Sequence, residues 1–533
     1  MPPTVAESPR PLVRGRSLRL LLEGSALLAA LLVAGGFSAF VLRQDASWDL
    51  RNYHFYNAWA FVHDRLGWDL APAQLQTFFN PLLDLPFYWM VAAGWPPRLI
   101  AFVIALPAGV GAFFLAKILM LLFAGVRGKA RWGFAALAFA IGITASGPVS
   151  LLGLTMNDWP GTALIILALW LLLRRNERDA AAWGSFASAG LIAGIASGLK
   201  LTNAPYAAGL CCALLLARPL RSRGLRDAFG FGIAVLAGLL LSSGAWMWTL
   251  YAHFGSPVFP FFNDIFRSEW WDAMRLVDLR FAPRSLLEWS AFPLRYRDRR
   301  LPLLYVLIIA AGIAWLVRRW RKVPPPQAAE PADKWRFTLV FSTVSFVVWA
   351  AMLTVPRYLM PLELLSGALL IYVLRSIVPD RWLPAGATVI AALVIFTVRY
   401  PNLGRIDYGE RYFMVSVPPV APRAVILLIV NQPMAFVLPF FPSDGRFLGA
   451  NNNLNHPKRQ NRLAGEIARI VREHDGPLYA LTYPPGSGTA TLDAYGLLRA
   501  PHECAPIVSN MLPIPLELCR LERVGASGQA VPR

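Results

Sequence analysis

Four charged residues stand at the ends of apolar runs, where a charge beside hydrocarbon is expensive and usually has a partner or a task. Asp49 lies in Trp48-Asp49-Leu50-Arg51-Asn52-Tyr53-His54, and Asp158 in Asn157-Asp158-Trp159-Pro160. Lys200 lies in Gly198-Leu199-Lys200-Leu201-Thr202-Asn203, and Arg357 in Pro356-Arg357-Tyr358. Their chemistry is complementary. A carboxylate beside a hydroxyl or amine serves as a general base. Lysine and arginine at a membrane boundary hold a phosphate. Carboxylates with aromatics grip a sugar through its hydroxyls and its apolar face. A base combined with phosphate-binding cations describes the transfer of a sugar from a lipid phosphate.

The elements that position these residues are membrane helices. Of 533 residues, 56% are hydrophobic and only 15% charged. A soluble protein cannot hide that much apolar surface. The net charge of +20 suggests nucleic acid in a soluble chain; here it reads as the arginine and lysine of cytoplasmic loops. Eleven apolar runs read as spans, near 20–42, 98–124, 133–152, 159–173, 183–199, 204–217, 228–250, 302–317, 337–356, 358–374 and 382–398. The first follows a basic segment and is longer than a secretory apolar region, which makes it an uncleaved signal anchor. The segment 81–95 is short and carries two prolines, so it reads as a half-inserted or interfacial helix. Counting it as a crossing would invert every later loop against the charge bias.

This topology puts the loop 43–98, the turns at Asp158, Lys200 and Arg357, and the loop 251–301 on one outer face. The expected organisation is a cytoplasmic N-terminus (1–19), a transmembrane core (20–317), a cytoplasmic linker (318–336), later helices (337–398) and a soluble tail (399–533). The tail reads as a small α/β domain on the periplasmic side: a strand at Ala424–Val430, an amphipathic helix carrying Leu463, Ile467, Ile470 and Val471, and a strand at Leu478–Thr482. A competing reading makes 423–441 a twelfth span. Of the four cysteines, Cys211 and Cys212 lie in an apolar run, whereas Cys504 and Cys519 lie in the tail and pair if it is extracytoplasmic.

The chain resembles the GT-C superfamily of polytopic glycosyltransferases, which use polyprenyl-phosphate-linked sugars. Protein O-mannosyltransferases, the lipid A aminoarabinose transferase and bacterial glycosyltransferase families 39 and 87 belong to it. The resemblance covers roughly 20–375. It rests on the Asp-bearing first outer loop (Trp48 to Tyr53), the second outer acid (Asn157-Asp158), and the Lys200 turn. The block Gly255-Ser256-Pro257-Val258-Phe259-Pro260-Phe261-Phe262-Asn263 and Pro356-Arg357-Tyr358 are similar to stretches in bacterial members. It implies that Asp49 is the base or the acid that positions the acceptor, that Asp158 shapes the site, and that Lys200 and Arg357 hold the donor phosphate. Tyr358, Asn52, Tyr53, His54 and Asn80 are assigned with them to substrate binding. The first loop has Asp49-Leu50 in place of the Asp-Glu pair of many members, which leaves open which acid would bind a metal.

Bland readings stand beside these. Asp49 could solvate a loop, Asp158 could cap a helix ahead of Pro160, and Lys200 could snorkel. Arg357 could pair with Glu363, and Asn80 could start the interfacial helix. His54 and His63 lack zinc-ligand spacing, so no metal ligand is assigned and no cofactor is certain, although the acids are compatible with a divalent cation. The expected partners are a polyprenyl-phosphate-linked sugar, an extracytoplasmic acceptor in the cell envelope and the bilayer of a bacterial inner membrane, with no nucleic acid. The runner-up is a transporter, flippase or lipid-linked-sugar binding protein. Transporters show internal repeats or mid-membrane charges, whereas here no repeat is visible and the charges gather at one face.

Overall fold

A computed structural model describes residues 11–175, 182–217, 222–276, 298–323, 331–352, 354–524 and 530–531. The basic-loop residues Arg178, Arg218 and Arg221, the centre of the linker (324–330) and the second half of the outer loop (277–297) lie outside the described residues.

Apolar runs bounded by glycine, proline or charge become helices because a lipid-facing backbone must satisfy its own polar groups. In chain order the described helices of eight residues or more are α1 (Pro11–Phe40), α2 (Phe55–Val62), α3 (Leu85–Ala92), α4 (Pro97–Leu122), α5 (Lys129–Ile143), α6 (Asp158–Leu173) and α7 (Ala182–Leu199). There follow α8 (Ala204–Leu216), α9 (Ser222–Phe254), α10 (Arg300–Trp320), α11 (Ala332–Met352), α12 (Met360–Arg375), α13 (Leu383–Thr397) and α14 (Arg462–Glu473). Apart from α2, α3 and α14, these eleven stand where the eleven apolar runs were read. Among the described residues, six stretches are long and apolar enough to cross a membrane: Ser17–Phe40, Pro97–Leu122, Gly224–Phe254, Arg300–Trp320, Ala332–Met352 and Pro356–Arg375. The segment 81–95 is a 3-10 turn at Pro81–Leu83 followed by the short α3. The protein is a helical, multi-pass membrane protein with a C-terminal sheet domain.

Small residues set the closest helix contact. Gly190, Gly194 and Gly198 form a stripe on α7, and a Cβ there would fall 2.6 Å from Phe231 O, 2.0 Å from Val235 O and 2.3 Å from Ser242 Oγ of α9. Such stripes let backbones approach where no water drives helices together. This one ends two residues before Lys200 and fixes the height of that side chain. In mid-span, Lys117 of α4 pairs with Glu23 of α1 at 2.8 Å, which partners a charge set among apolar residues.

The tail carries a sheet in the order β3-β7-β8-β6-β4-β5, with β9 on β8. Its strands are β3 (Val415–Ser416), β4 (Val425–Leu428), β5 (Arg446–Gly449), β6 (Leu478–Thr482), β7 (Leu497–Ser509), β8 (Leu516–Val524) and β9 (Ala530–Val531). Strand β4 pairs parallel with β5 and β6, and β6, β8 and β7 are antiparallel. The run 423–441 is thus a strand and the 3-10 turn Ala435–Phe440, not a span. Cys504 and Cys519 face each other across β7 and β8 and form a disulfide.

Strand β4 is buried on both faces. Val425 and Leu427 pack with Leu463, Ile467, Ile470 and Val471 of α14. Ile426 and Leu428 pack with Leu50, Tyr53, Phe55, Tyr56 and Trp59 of the loop 43–98. The loop therefore supplies the second helical layer of the tail's own sandwich. Main-chain pairing extends the union. Strand β1 (Gln44–Asp45) pairs antiparallel with β2 (Arg405–Ile406), and Leu70 bridges Leu448 of the edge strand β5.

Candidate active site

The Asp49 segment is held by its neighbours before it meets any charge. Leu50–His54 form one π-helical turn leading into α2, a geometry that recurs at functional sites. Ser47 starts it, accepting from Arg51 N–H at 3.1 Å through its carbonyl and from Leu50 N–H at 3.3 Å through its hydroxyl. Asp45 ties this turn to the next outer segment. It accepts from Ser47 N–H at 2.7 Å and from the N–H and hydroxyl of Thr155 at 2.8 and 2.7 Å.

Two ion pairs follow. Arg357 Nη1 donates to Asp49 Oδ2 at 2.6 Å, and the Tyr53 hydroxyl reaches the same oxygen at 3.4 Å. Lys200 Nζ donates to Asp158 Oδ1 and to the Met156 carbonyl, both at 2.6 Å. Tyr358 lies between the pairs: Lys200 Nζ is 5.3 Å and Arg357 Cζ 5.1 Å from its ring centroid. Its hydroxyl accepts from Arg357 Nη2 at 3.2 Å. Arg357 Nη1 also reaches Met156 Sδ at 3.1 Å. Asp49, Asp158, Lys200, Arg357, Tyr358 and Tyr53, drawn from four distant segments, therefore share one cluster. Arg357 does not pair with Glu363, whose carboxylate instead accepts from Gly147 N–H at 2.8 Å. Asp158 is the first residue of α6 rather than its cap; Asn157 precedes it with φ +59°.

The cluster is not closed on itself. Arg357 Nε and Asp158 Oδ2 are buried and have no hydrogen-bond partner among the described residues. Burial alone pushes the Asp49 carboxyl up. The facing charge of Arg357, with His54 and Lys200 behind it, outweighs burial and holds it below the usual range. Burial, and then the Asp49 charge, push the Tyr53 phenol well above its ordinary value.

A second constellation lies beside the first. His54 is 2% exposed, and its Nδ1 lies 2.6 Å from Asp84 Oδ1. Asn157 Nδ2 donates to the same oxygen at 2.5 Å. Burial pushes the Asp84 carboxyl up, against the opposing pull of His54, Asn157 and Lys200. Asp84 and Asn157 were not singled out from the sequence. Their signal was there, in an acid between an Asn-Pro turn and an apolar helix and an amide preceding Asp158.

Two expected residues stand apart from the ion pairs. Asn52 is buried and donates to Ala73 O and Gln76 Oε1, both at 3.2 Å, within the first loop. Asn80 donates to Gly198 O at 3.2 Å and Ser242 O at 3.0 Å, and accepts from Leu82 N–H at 3.1 Å. All its amide bonds go to backbone, so it clamps the first loop onto α7 and α9 and caps the Pro81 turn. Among the described residues, the one cluster with metal-ligand proximity is Cys504, Glu517 and Cys519, and its two sulfurs are bonded to each other.

The chain matches no protein-family model, and no curated protein is similar to it in sequence. Solved structures do resemble it. ArnT from Cupriavidus metallidurans in the apo state aligns with a TM-score of 0.50 at 12% identity, over 97% of this chain and 100% of that one. ArnT from Cupriavidus metallidurans bound to undecaprenyl phosphate aligns with a TM-score of 0.45 at 12% identity, over 96% and 99% of the two chains. At this identity the likeness is one of fold alone: the chain shares the fold of ArnT in the apo state, carried through to the C-terminal sheet domain.

Proposed function

We propose that this protein is a membrane glycosyltransferase that moves a sugar from a polyprenyl phosphate to an extracytoplasmic acceptor. The observation that carries the proposal is the meeting of Asp49–Arg357 and Asp158–Lys200 around Tyr358, within a fold shared with ArnT. ArnT from Cupriavidus metallidurans binds undecaprenyl phosphate, and that lipid class suits two cations at the outer ends of apolar helices. The Cys504–Cys519 disulfide supports an oxidising, periplasmic side for the tail, and with it a bacterial inner membrane.

The chemistry is displacement at the anomeric carbon. The bond from C1 to the phosphate oxygen breaks, and that oxygen leaves with the electron pair. Lys200, exchanging Asp158 for phosphate oxygen, and Arg357, through the buried Nε that has no partner among the described residues, receive the growing charge. Without donor, Asp49 and Asp158 keep both cations neutralised and in place. Asp49 positions the acceptor beside C1, and the new bond forms between acceptor oxygen and C1.

The test is donor turnover by the purified full chain in nanodiscs, with a panel of undecaprenyl-phosphate sugars and wild type compared with Asp49→Asn. Sugar transfer or release that falls about 100-fold or more in the variant is the expected result. Equal turnover by the two proteins would remove Asp49 from the site. Binding of undecaprenyl phosphate without turnover by either would turn the reading to a lipid-handling protein. Labelling of an introduced tail cysteine by an impermeant reagent on intact spheroplasts checks the side.

A further inference from the structure

We infer that His54, held by Asp84 and Asn157, is the base that takes the acceptor's proton, while Asp49 serves to position the acceptor and Arg357. The inference deepens the glycosyltransferase reading and rests on it.

The argument starts from what each group has left to give. Asp49 already accepts from Arg357 at 2.6 Å and from the Tyr53 hydroxyl at 3.4 Å. Its carboxyl is held below the ordinary range by that guanidinium, against the pull of burial. A group whose proton affinity has been lowered by a fixed cation is a poor proton acceptor.

His54 is built the other way. Its Nδ1 faces Asp84 Oδ1 at 2.6 Å. With Asp84 ionised, Nδ1 carries the hydrogen and donates it, which leaves the lone pair on Nε2. That Nε2 is buried with no hydrogen-bond partner among the described residues. A buried acceptor left unpaired is costly, and an incoming hydroxyl removes that cost by donating to it.

The carboxylate behind the ring is itself fixed. Asn157 Nδ2 holds Asp84 Oδ1 at 2.5 Å, and Asn157 is kept in the left-handed region at φ +59°, next to the residue that pairs with Lys200. The π-helical turn that carries Asp49 also carries Tyr53 and His54, whose rings lie 4.0 Å apart. The charged and titratable groups that face His54 are Asp84 from the segment before α3, Asp49 and Tyr53 from its own turn, and Lys200, which acts on both acids.

The proton balance closes. As acceptor oxygen bonds to C1, its hydrogen passes to His54 Nε2, and the C1–O bond to phosphate breaks with its electron pair on the leaving phosphate. The imidazolium now stands beside the Asp84 carboxylate, so an unbalanced buried anion becomes a neutral pair. The proton then leaves to solvent with the products. Asp84 and Asn157 act through His54 and are positioning residues.

Two experiments test this on the full-length protein in nanodiscs. The first needs no donor. Ring-15N histidine labelling, with the His54 signal assigned by its loss in His54→Gln, reads the tautomer. The Nδ1–H form is expected at neutral pH, with its population changed in Asp84→Asn; an Nε2–H form would overturn the proposal. The second uses the undecaprenyl-phosphate sugar that the donor panel identifies. His54→Ala should lose about 10²- to 10⁴-fold in transfer, with undecaprenyl phosphate binding retained within about twofold. Added imidazoles should restore part of the rate in proportion to their basicity in His54→Ala, and not in Asp49→Asn. Full activity in His54→Ala, or rescue indifferent to base strength, would defeat the assignment. If wild type turns over no donor, the glycosyltransferase reading fails, and the tautomer still decides the dyad.

Discussion

Two Arg–Asp pairs, one within the loop 43–98 and one joining it to Arg357, differ in how completely they are answered. Arg65 donates to Asp69 through Nε at 2.9 Å and Nη2 at 2.8 Å, to Ser443 O at 2.7 Å and to Gly445 O at 2.6 Å. Asp69 also accepts from Tyr56 at 2.8 Å and from Phe447 N–H at 2.8 Å. Each of these bonds joins the loop to itself or to the tail, and no polar atom of either side chain is left buried without a partner. Arg357 and Asp49 form an equally short bond, but the guanidinium keeps a buried Nε without a partner, and so does Asp158 Oδ2 beside it. The same two residue types thus make a rivet in one place and a receptor in the other. What separates them is whether every donor and acceptor has been spent.

The widest gap between the two should appear on breaking the rivet. Arg65→Ala leaves Asp69 buried without its cation, and loss of one partner of a buried pair costs about 3–5 kcal/mol. The expected outcome is a lowered unfolding temperature and faster proteolysis of the tail, with undecaprenyl phosphate binding unchanged in the folded fraction. In the receptor, Arg357→Lys keeps the charge and loses the fork. Transfer should fall about 100- to 1,000-fold, the scale of losing one preorganised donor to a developing oxyanion, with the unfolding temperature nearly constant. If that variant unfolds like Arg65→Ala, the contrast collapses.

A smaller effect is expected from Asn80→Ala. Its bonds join the first loop to α7 and α9, and a lost hydrogen bond of this kind costs about 1 kcal/mol. Stability should drop by that amount while the donor spectrum stays the same; a changed donor preference would return Asn80 to the site. The smallest signal is the order in which the acids titrate. Burial raises the Asp84 carboxyl, whereas the Arg357 charge overrides burial and lowers that of Asp49. On acidification Asp84 should take its proton first, and the Asp49–Arg357 contact should outlast the ordinary carboxylate range and be lost only below it. The protonated-carboxyl infrared band checks this, with Asp84→Asn removing the earlier component and Asp49→Asn the later.

The membrane helices were readable in the sequence because hydrocarbon thickness and hydropathy constrain them directly. The charges that break the pattern (Asp49, Asp158, Lys200 and Arg357) were readable for the same reason. Pairing was not. Whether Arg357 turns to Glu363 one helical stretch away or to Asp49 across the molecule depends on tertiary packing, and local spacing offered only Glu363 as a partner. Asn80 was read as a candidate for substrate because an amide before proline looks alike whether it lines a cavity or clamps two helices. Asp84 and Asn157 were passed over because each is unremarkable alone. They become a constellation only when the Pro81 turn and the start of α6 are brought together. The tail's strands and helix were found from periodicity, but their second layer was hidden, since nothing in 399–533 announces that residues 50–59 complete its core.

That shared layer has a consequence in time. The ribosome delivers Leu50 through Trp59 and Leu70 hundreds of residues before the strands that cover them. Through most of synthesis the loop 43–98 waits with its apolar face bare and Leu70 without its strand partner. Long-range pairing of this kind is slow and leaves exposed surface to misassociate. A chain halted before the sheet would hold every membrane helix, every charged residue of the cluster and no settled site. Arrival of the last strands is thus the step that completes the layer behind the Asp49 turn.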